Sequence, residues 1–413
     1  MADEIEVPPY FLCPIALDIM KDPVTISTGI TYDRDSIERW IFSQKNTTCP
    51  VTKQVLYDTE LTPNITLRRL IQSWCTLHAA QGIQRLPTPK APVSKPQLLK
   101  LLNDAKTPQL QFECLKRLRS IASQNQTNRR CMETAGTAEF LASLIVQKTL
   151  QASRDEVSEE SLSELRKACE EALSILYSLQ LSESSLKSLT NNEFVESLTR
   201  VMQSRSYESR AYAVMLLQSM LEAADPAQVL IKLQPQFFVE LAQILNDQIC
   251  QKASKATLKV LISVCPWGRN RIKAVEAGAV PILIDLLLES SDKRACEMTL
   301  TVLDLLCQCA EGRAELLKHG AGLAIVSKKI LRVSQVASER AVRILHSVSK
   351  FSATPAVLQE MLQLGVVAKL GLVLQVDCGS RTKERAREML KSYARAWRNS
   401  PCLPNSLISS YPA

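Results

Sequence analysis

The amino-terminal segment of this chain contains side chains that could bind a metal ion: Cys13, Cys49, Cys75 and His78. A tetrahedral zinc site takes four such ligands, and two cross-braced sites would take twice as many. No pair of these cysteines has the C-x-x-C spacing that usually starts such a site. The sequence therefore argues against a metal centre, and no other residue pattern indicates a cofactor.

The same cysteines are not predicted to act as nucleophiles. A reactive thiolate needs an activating base beside it. Neither His319 nor His346 has a sequence context that would supply one, so a histidine of the core or surface is the favoured interpretation for both. We therefore assign no covalent catalytic residue.

Three apolar residues lie where the sequence gives little opportunity to bury them. Ile15 and Pro50 are in segments rich in turn formers, and Trp40 is at the edge of an apolar helical stripe between them. One interpretation is a small exposed binding surface. The other is a small core, and for Trp40 alone the core is the more common location of a large aromatic side chain.

Turn and cap signals predict the elements that position these residues. Residues 24–26 and 30–32 are predicted to form a hairpin around Thr28 and Gly29, followed by a helix that Asp33 caps. A second helix is predicted to start after Asn64. Apolar residues recur at helical spacing in both helices. They are Ile37, Trp40 and Ile41 in the first helix, and Leu67, Leu70, Ile71 and Trp74 in the second.

Five strings follow one another through this segment. They are CPI at 13–15, DPV at 22–24, GITYDRDSIERW at 29–40, CPVT at 49–52 and LTPNITLRRLIQSWC at 61–75. Together they resemble the U-box, the metal-free relative of the RING finger that docks a ubiquitin-conjugating enzyme. The resemblance covers about the first fifth of the chain, which we assign to residues 6–80.

The resemblance implies roles for particular residues. Ile15, Trp40 and Pro50 would form a shallow groove for two loops of the conjugating enzyme. Lys53 would contact both that enzyme and ubiquitin, and a solvated surface lysine is the alternative. Polar contacts replace metal in this family, and each candidate could instead be an ordinary cap or turn residue. These candidates are Asp22, Asp33, Arg34, Glu38, Thr52 and Asn64.

The resemblance also implies a reaction. In the family, an acceptor amine attacks a thioester that the conjugating enzyme holds, and the U-box promotes that step by orientation and local concentration. We therefore expect a RING-type ubiquitin-protein ligase (E3 transferase) without a covalent intermediate.

Length and composition favour an intracellular globular protein with more than one folding unit. The 413 residues are 46% hydrophobic, and many of the 13 cysteines fall in apolar helical stripes, as in proteins of a reducing compartment. There is no leading apolar signal segment, and the longest apolar stretches are about half of the roughly 20 residues that span a bilayer. We expect a cytoplasmic protein, with the nucleus as a second compartment and no membrane span.

The net charge of +8 does not by itself indicate a nucleic-acid partner. Lysine and arginine alternate with acidic residues along most of the predicted helices, and aromatic residues make up only 5% of the chain. Single-strand binders combine basic grooves with stacking rings. Solvated helix faces are therefore the favoured interpretation.

A proline-rich stretch separates the amino-terminal segment from the rest. Pro87, Pro89, Pro92 and Pro96 occur among polar residues, and this density of proline disfavours both helix and central strand. We predict a semi-rigid linker over 81–97.

Residues 98–396 are predicted to form a helical repeat array. Gly278, Gly320 and Gly365 occupy equivalent positions at intervals of 42 (320−278) and 45 (365−320) residues. Further copies are marked by Gly136 and, without glycine, near Glu193 and Gln236. Six copies at roughly 40–47 residues are typical of armadillo or HEAT units. An arginine lies seven residues before three of the glycines, at Arg129, Arg271 and Arg313.

Two segments interrupt or end this array. The acidic, serine-rich residues 153–164 are predicted to form a mobile loop, with a phosphorylated regulatory site as the alternative. Residues 397–413 contain proline and serine without a period and are predicted to be a disordered tail.

The expected fold is thus mainly α, with a small α+β U-box followed by an α-solenoid of armadillo-like repeats. This order resembles the plant U-box armadillo ligases, many of which act in stress and immune signalling. The resemblance implies a ubiquitin-charged conjugating enzyme and a protein substrate in the armadillo groove as partners. It also implies self-association and autoubiquitination in some members. An inactive adaptor is the alternative. A nuclear import receptor is disfavoured, because such receptors bind peptides through ladders of Trp and Asn, and only Trp267 and Trp397 occur beyond the linker.

Overall fold

The computed structural model describes residues 7–44, 46–56, 58, 60–79, 93–153, 158–223, 232–267 and 269–397. Within these ranges no single helix has the length and apolarity to cross a membrane, and one bent pair, Pro355–Gln363 with Val366–Gln375, passes by length and composition. The chain divides into two units, Met1–Thr137 and Ala138–Ala413.

The first unit starts with a small three-stranded antiparallel sheet and two helices. The first strand lies between the other two, and its Val24 pairs with both Tyr32 and Pro63. The elements are a 3-10 turn Pro9–Phe11, β1 Pro23–Thr25, β2 Thr31–Asp33, α1 Arg34–Glu38, a π-helical turn Arg39–Ser43, β3 Thr62–Pro63 and α2 Ile65–Leu77.

The predicted hairpin is confirmed, with each strand displaced by one residue. Gly29 has a φ of +79°, a conformation that residues with a Cβ rarely adopt, and this allows the tight turn. Around it the Ile26 amide donates to the Ile30 carbonyl at 3.1 Å, and the Gly29 amide donates to the Ile26 carbonyl at 2.9 Å. The third strand has only two residues and carries no pattern from which it could be predicted.

One apolar core joins the sheet to both helices. Val24, Tyr32, Ile37 and Ile71 are fully buried in it. Leu70 was predicted to lie on the same stripe as Ile71, but it is 53% exposed. Neighbouring positions of a helix point about 100° apart, so a small core that takes Ile71 leaves Leu70 in solvent.

The helical part of the first unit begins earlier than predicted. Its first helix starts at Lys95, inside the predicted linker, because Pro96 falls in the first turn, where a missing N–H costs nothing. Ser94 and Gln97 form a capping box at this end. Residues 81–92 of the linker are outside the described residues, as is residue 80. The helices of this part are α3 Lys95–Asp104, α4 Pro108–Ala122 and α5 Gln126–Thr134.

The second unit is built from helices, and most of its longer helices follow two shorter ones. They are α6 Thr137–Ala152, α7 Glu159–Ser178, α8 Glu183–Leu189, α9 Asn192–Met202, α10 Tyr207–Ala223, α11 Pro235–Asp247, α12 Gln251–Val264, α13 Arg269–Glu276, α14 Ala279–Glu289, α15 Lys293–Leu306, α16 Ala310–Lys318, α17 Gly322–Lys329, α18 Gln335–Phe351, α19 Pro355–Gln363, α20 Val366–Gln375 and α21 Ser380–Ser392. The helices α10, α12, α15, α18 and α21 pack on one another in that order. Each repeat thus buries its apolar stripe against the next, as expected of a solenoid.

The glycine markers do not all have the same role. Gly136, Gly278 and Gly365 have positive φ angles of 70–79° and make the turn before a helix. A Cβ at Gly278 would meet nothing within 4 Å, so glycine is required by the backbone angle and not by a lack of space. Gly320 is not among the glycines with positive φ. In that copy Gly312 and Gly322 are constrained instead, because a Cβ at either position would lie 2.1 Å from a backbone carbonyl oxygen.

The three arginines that precede the glycines cap the helix before them. Arg129 Nε donates to the Ala122 carbonyl at 3.0 Å, and Arg271 Nε donates to the Cys265 carbonyl at 2.9 Å. Arg313 repeats this contact with the Cys307 carbonyl at 3.1 Å. The last carbonyls of a helix lack intrahelical donors and carry partial negative charge, so a guanidinium satisfies both needs.

Two predicted segment boundaries need correction. The acidic insert 153–164 is helical from Glu159, because Ser158 caps the Ser161 amide and two glutamates favour the first turn. Residues 154–157 are outside the described residues. Trp397, predicted to begin the tail, is only 1% exposed and donates to the Leu358 carbonyl at 3.1 Å, so it belongs to the array. Residues 398–413 are not described.

Candidate functional site

Two six-residue loops of the first unit have the same backbone. In the first, the Cys13 amide donates to the Asp18 carbonyl and the Leu17 amide donates to the Cys13 carbonyl, both at 2.8 Å. In the second, Cys49 and Gln54 make the first contact at 2.8 Å, and Lys53 donates to the Cys49 carbonyl at 2.9 Å. Leu17 and Lys53 share a φ of 60°. The sequences CPIALD and CPVTKQ therefore specify matching turns.

The cysteine sulfurs hold these loops against the sheet. The Asp33 amide donates to Cys13 Sγ at 3.3 Å. Cys49 Sγ accepts from Thr28 Oγ1 and from the Thr52 amide, each at 3.4 Å, and its sulfur lies 3.1 Å from the Tyr32 hydroxyl. Both cysteines are fully buried. The sequence argued against both as metal ligands and nucleophiles, and no pattern in it indicates this structural role.

The environment of Cys49 changes its acidity. Burial raises the pKa of this thiol, but hydrogen bonds from Thr28, Thr52 and Tyr32 outweigh burial and lower its pKa to about 6. Burial and the Cys49 contact raise the pKa of the Tyr32 hydroxyl, so Tyr32 remains a donor at neutral pH. The pair resembles a charge-assisted hydrogen bond from a phenol to a thiolate.

Four of the six predicted network residues form a single connected cluster. Asp33 Oδ1 accepts from the Lys21 and Asp22 amides at 2.7 and 2.9 Å. Asp33 occupies the N-cap position of α1, as predicted, but its side chain makes no cap contact with the helix. Arg34 Nε lies 2.6 Å from Asp22 Oδ2, and Arg34 Nη1 lies 3.6 Å from Glu38 Oε1.

Burial makes this cluster sensitive to change. Arg34 and Glu38 are each 4% exposed. Burial raises the pKa of Asp33, although its two backbone donors act in the opposite direction. Removing one partner of such a buried pair leaves an uncompensated charge, which costs far more than the pair contributes.

Thr52 and Asn64 act separately from this cluster. Thr52 serves the second loop, where its Oγ1 accepts from the Gln54 amide at 3.4 Å. The Asn64 side chain caps α2 by accepting from the Leu67 amide at 3.1 Å. The backbone amide of Asn64 donates to the Pro23 carbonyl at 2.9 Å. Asn64 therefore connects the start of α2 to the sheet.

The three predicted groove residues are all half-buried. Ile15 and Trp40 pack with one side against the core, and Pro50 lies in the turn of the second loop. Trp40 Nε1 donates to the Thr48 carbonyl at 2.8 Å, which joins the helix to that loop. Trp40 thus combines both interpretations offered by the sequence: it packs on the core and keeps part of its ring accessible.

Lys53 lies next to this surface. Its side chain is exposed, and its Nζ is 5.9 Å from the centre of the Trp40 ring. The left-handed backbone at Lys53 and its contact with Cys49 fix where the side chain leaves the loop. A positive charge is therefore available at the edge of the aromatic surface.

Two further apolar residues of the loops, not predicted from the sequence, are exposed. Leu17 is 74% exposed and Val51 is 51% exposed. The repeated C-P-apolar pattern could have revealed Val51, because it makes Val51 the counterpart of Ile15 in the matching loop. Large apolar side chains held in solvent by rigid turns are typical of a docking surface.

Within the described ranges, no group of three or more His, Cys, Asp or Glu side chains could hold a metal ion. What the geometry provides is a pair of rigid loops, an aromatic edge and one adjacent cation. This arrangement is suited to binding and orienting another macromolecule.

Comparisons with known proteins agree with this geometry. The U-box domain family matches residues 7–80, and the plant U-box protein ARM repeat region matches residues 97–413. The chain is 56% identical to the E3 ubiquitin-protein ligase PUB22 of Arabidopsis thaliana over 100% of both chains. It is 57% identical to PUB23 of the same plant, over 100% of this chain and 98% of the relative.

A computationally designed armadillo repeat protein is also similar, with a TM-score of 0.43 and 18% identity over 62% of this chain and 99% of its own. The family matches confirm the expected mainly α fold, in which a small U-box precedes an armadillo array. The chain belongs to the plant U-box proteins with an ARM repeat region.

Proposed function

We propose that this protein is a U-box ubiquitin-protein ligase that recruits a ubiquitin-charged conjugating enzyme. The contact is made through its two matching loops and through the Trp40 helix, the helical run formed by α1 and the following turn Arg39–Ser43. Full-length relatives that are 56% and 57% identical are named E3 ubiquitin-protein ligases, which supports the ligase activity. The finer assignment rests on one observation. Apolar side chains of both loops, Ile15 and Val51, remain accessible beside the half-buried ring of Trp40.

The reaction in this proposal needs no nucleophile from the chain. The acceptor amine of a lysine attacks the thioester carbonyl on the conjugating enzyme, the carbon–sulfur bond breaks, and the conjugating enzyme leaves as a thiol. The U-box lowers the entropic part of the barrier by restricting how the thioester and its ubiquitin are oriented. Lys53 contributes hydrogen bonds to the docked pair, as a point charge rather than a bidentate fork.

The repeat array holds the protein substrate in this proposal. Its long helices α10, α12, α15, α18 and α21 pack in sequence and present a continuous row of side chains. Polar contacts bridge neighbouring helices of this row: Lys259 Nζ lies 3.0 Å from the Glu222 carboxylate, and His346 Nε2 lies 2.9 Å from the Glu388 carboxylate. Such a row can exchange its internal pairs for charges of a bound segment. Proximity labelling compared between wild type and an inactive variant identifies that partner.

The cellular setting is a further part of the proposal. We assign the protein to the cytoplasm, with access to the nucleus, and to plant stress or immune signalling, on the basis of its family. Autoubiquitination and self-association belong to the same proposal. A fluorescent fusion expressed at native level, with and without an immune elicitor, tests the location.

A reconstituted reaction with activating enzyme, conjugating enzyme and ubiquitin tests the ligase activity. Val51→Asp is the sharpest variant, because Val51 is exposed and its replacement should leave folding unchanged while opposing an apolar contact. We expect loss of nearly all ubiquitin chains. Leu70→Asp is the matched control, since Leu70 is equally exposed but lies on α2, and it should retain activity.

The alternative is a catalytically inactive adaptor. Wild-type protein that forms no chains with any of a panel of conjugating enzymes would support the adaptor. Equal loss in Val51→Asp and Leu70→Asp would contradict the assigned surface but not the ligase activity.

A further inference from the structure

A carboxylate of the U-box helix has partners far away in the chain. Glu38 is almost fully buried, and Arg34 supplies only one contact, at 3.6 Å. Its other partners are at the start of α5: the Gln126 amide donates to Glu38 Oε2 at 3.0 Å, and the Thr127 hydroxyl donates to Glu38 Oε1. These partners lie beyond the U-box and the proline-rich stretch.

The contact supplies a hydrogen-bond acceptor to the start of α5. The first amides of a helix have no intrahelical acceptor, and the helix start carries partial positive charge. Asn125 satisfies the Asn128 amide at 2.7 Å, which leaves the Gln126 amide in need of an acceptor. Glu38 supplies that acceptor together with a negative charge, so it acts as a second cap provided by another part of the chain.

A second contact lies one turn farther along both elements. The guanidinium of Arg130 lies 3.1 Å from the centre of the Phe42 ring. Phe42 is half-buried and belongs to the π-helical turn Arg39–Ser43. A cation over an aromatic face is favourable, and most so where water is partly excluded. Two independent contacts therefore fix α5 against the same short helix.

Trp40 lies between Glu38 and Phe42, the two residues that contact α5. The run from Arg34 to Ser43 is much shorter than an isolated helix needs to be stable in water, so its geometry must come from packing. The sheet core holds it through Ile37 and Ile41, and α5 holds it through Glu38 and Phe42.

We infer that α5 is part of the machinery that recruits the conjugating enzyme: Glu38, Thr127, Phe42 and Arg130 are positioning residues that hold the Trp40 helix in its docking orientation. The functional module of this protein therefore extends through α5 instead of ending at the U-box boundary near residue 80. This inference rests on the proposed function for its consequence, but the docking contact itself can be measured without any ligase activity.

The test uses the full chain carrying Thr127→Val and Arg130→Ala together. Thr127→Val removes only the hydroxyl donor, and neither substitution touches the loops or the helix that carries Trp40. The control combines Thr134→Val with Arg117→Ala, an exposed threonine and arginine on α5 and α4. Two quantities are measured for wild type and for both variants. The first is the hydrogen-exchange rate of amides 34–43. The second is the KM and kcat for discharge of a ubiquitin-charged conjugating enzyme to free lysine.

We call the chain with Thr127→Val and Arg130→Ala the docking variant. We expect its amides 34–43 to exchange about ten-fold faster, the size of effect that follows from losing a hydrogen bond to a buried carboxylate. KM for the charged enzyme should rise several-fold while kcat changes little, because Lys53 is untouched. Restoring the hydroxyl with Thr127→Ser should recover most of the loss. The control should behave like wild type in both measurements.

Unchanged exchange in the docking variant overturns the contact. Faster exchange with an unchanged KM overturns the positioning role, as does an equal rise of KM in the control. Absence of discharge by wild type speaks against the proposed function instead, and the exchange measurement still decides whether α5 holds the helix.

Discussion

The U-box and the repeat array hold their short elements in place by different kinds of contact. In the U-box, loops and helix ends depend on buried polar groups, such as the Asp22–Arg34 pair and the sulfur of Cys49. In the array, each helix depends on apolar contacts with the next repeat, with side chains such as Leu300 fully buried. A small module without a large core needs directional contacts, whereas a stack can rely on area.

This difference predicts how each region fails. Polar contacts in the U-box are connected to one another, so the loss of one partner exposes several others to an unfavourable environment. Apolar contacts in the array are repeated along the stack, so damage should remain near the altered repeat.

The largest effect is expected for Arg34→Met. This change leaves Asp22 and Glu38 without their buried cation, which costs about 3–5 kcal/mol for a broken buried pair. We expect hydrogen exchange throughout residues 13–77 to increase sharply while exchange in the array is unchanged. Arg39→Met is the control, because Arg39 is exposed on the same helix, and it should leave exchange at wild-type rates. Equal loss in both variants would contradict the special role of the buried pair.

Truncating a core side chain in the array should increase hydrogen exchange only in the neighbouring helices. Leu300→Ala removes a fully buried side chain from α15 and should destabilise by about 2–5 kcal/mol, the usual cost of such a cavity. We expect faster exchange in α12, α15 and α18 with no change in the U-box peptides or in discharge of the conjugating enzyme. Leu288→Ala, at an exposed position, is the control. Faster exchange in the U-box peptides would contradict the assumed independence.

The sequence predicted different features of the U-box and of the array. The cause is again the kind of contact that holds each region together. In the U-box, turn and cap signals predicted the hairpin and the helix positions, and the resemblance carried by five ordered strings implied the polar side chains involved. They could not predict partners, because hydrogen bonds join residues that the chain brings together only on folding. Glu38 meets Thr127, and Cys13 meets the amide of Asp33.

In the array, periodicity predicted the units but not what the repeated residues do. The spacing identified Arg271 and Arg313, yet only the structure reveals that each donates to the end of the preceding helix. Similarly, Gly320 matched the sequence period, while the positions where a Cβ would clash with backbone are Gly312 and Gly322. A pattern in one dimension fixes phase, whereas close approach depends on the packing angle of two helices.

A smaller effect is expected from removing one of these helix-capping arginines. Arg271→Met keeps much of the side-chain length but leaves the Cys265 and Pro266 carbonyls without their donor. A hydrogen bond to a charged group contributes about 1.5–3 kcal/mol, and partial exposure places this case at or below the lower end. Exchange should increase at the end of α12 and the start of α13, and Arg294→Met, at an exposed site on α15, should have no such effect.

The last effect is one of pH, and it concerns the U-box. Since hydrogen bonds lower the pKa of folded Cys49 to about 6 from 9.0, the folded state prefers the thiolate more than the unfolded state does. This contribution is absent below pH 6, grows as the pH rises, and is complete above pH 9. U-box stability relative to a Cys49→Ala variant should therefore increase across that window. Hydrogen exchange of residues 49–54, corrected for the intrinsic pH dependence of exchange, measures it in both proteins, and parallel pH profiles would show that Cys49 remains a thiol throughout.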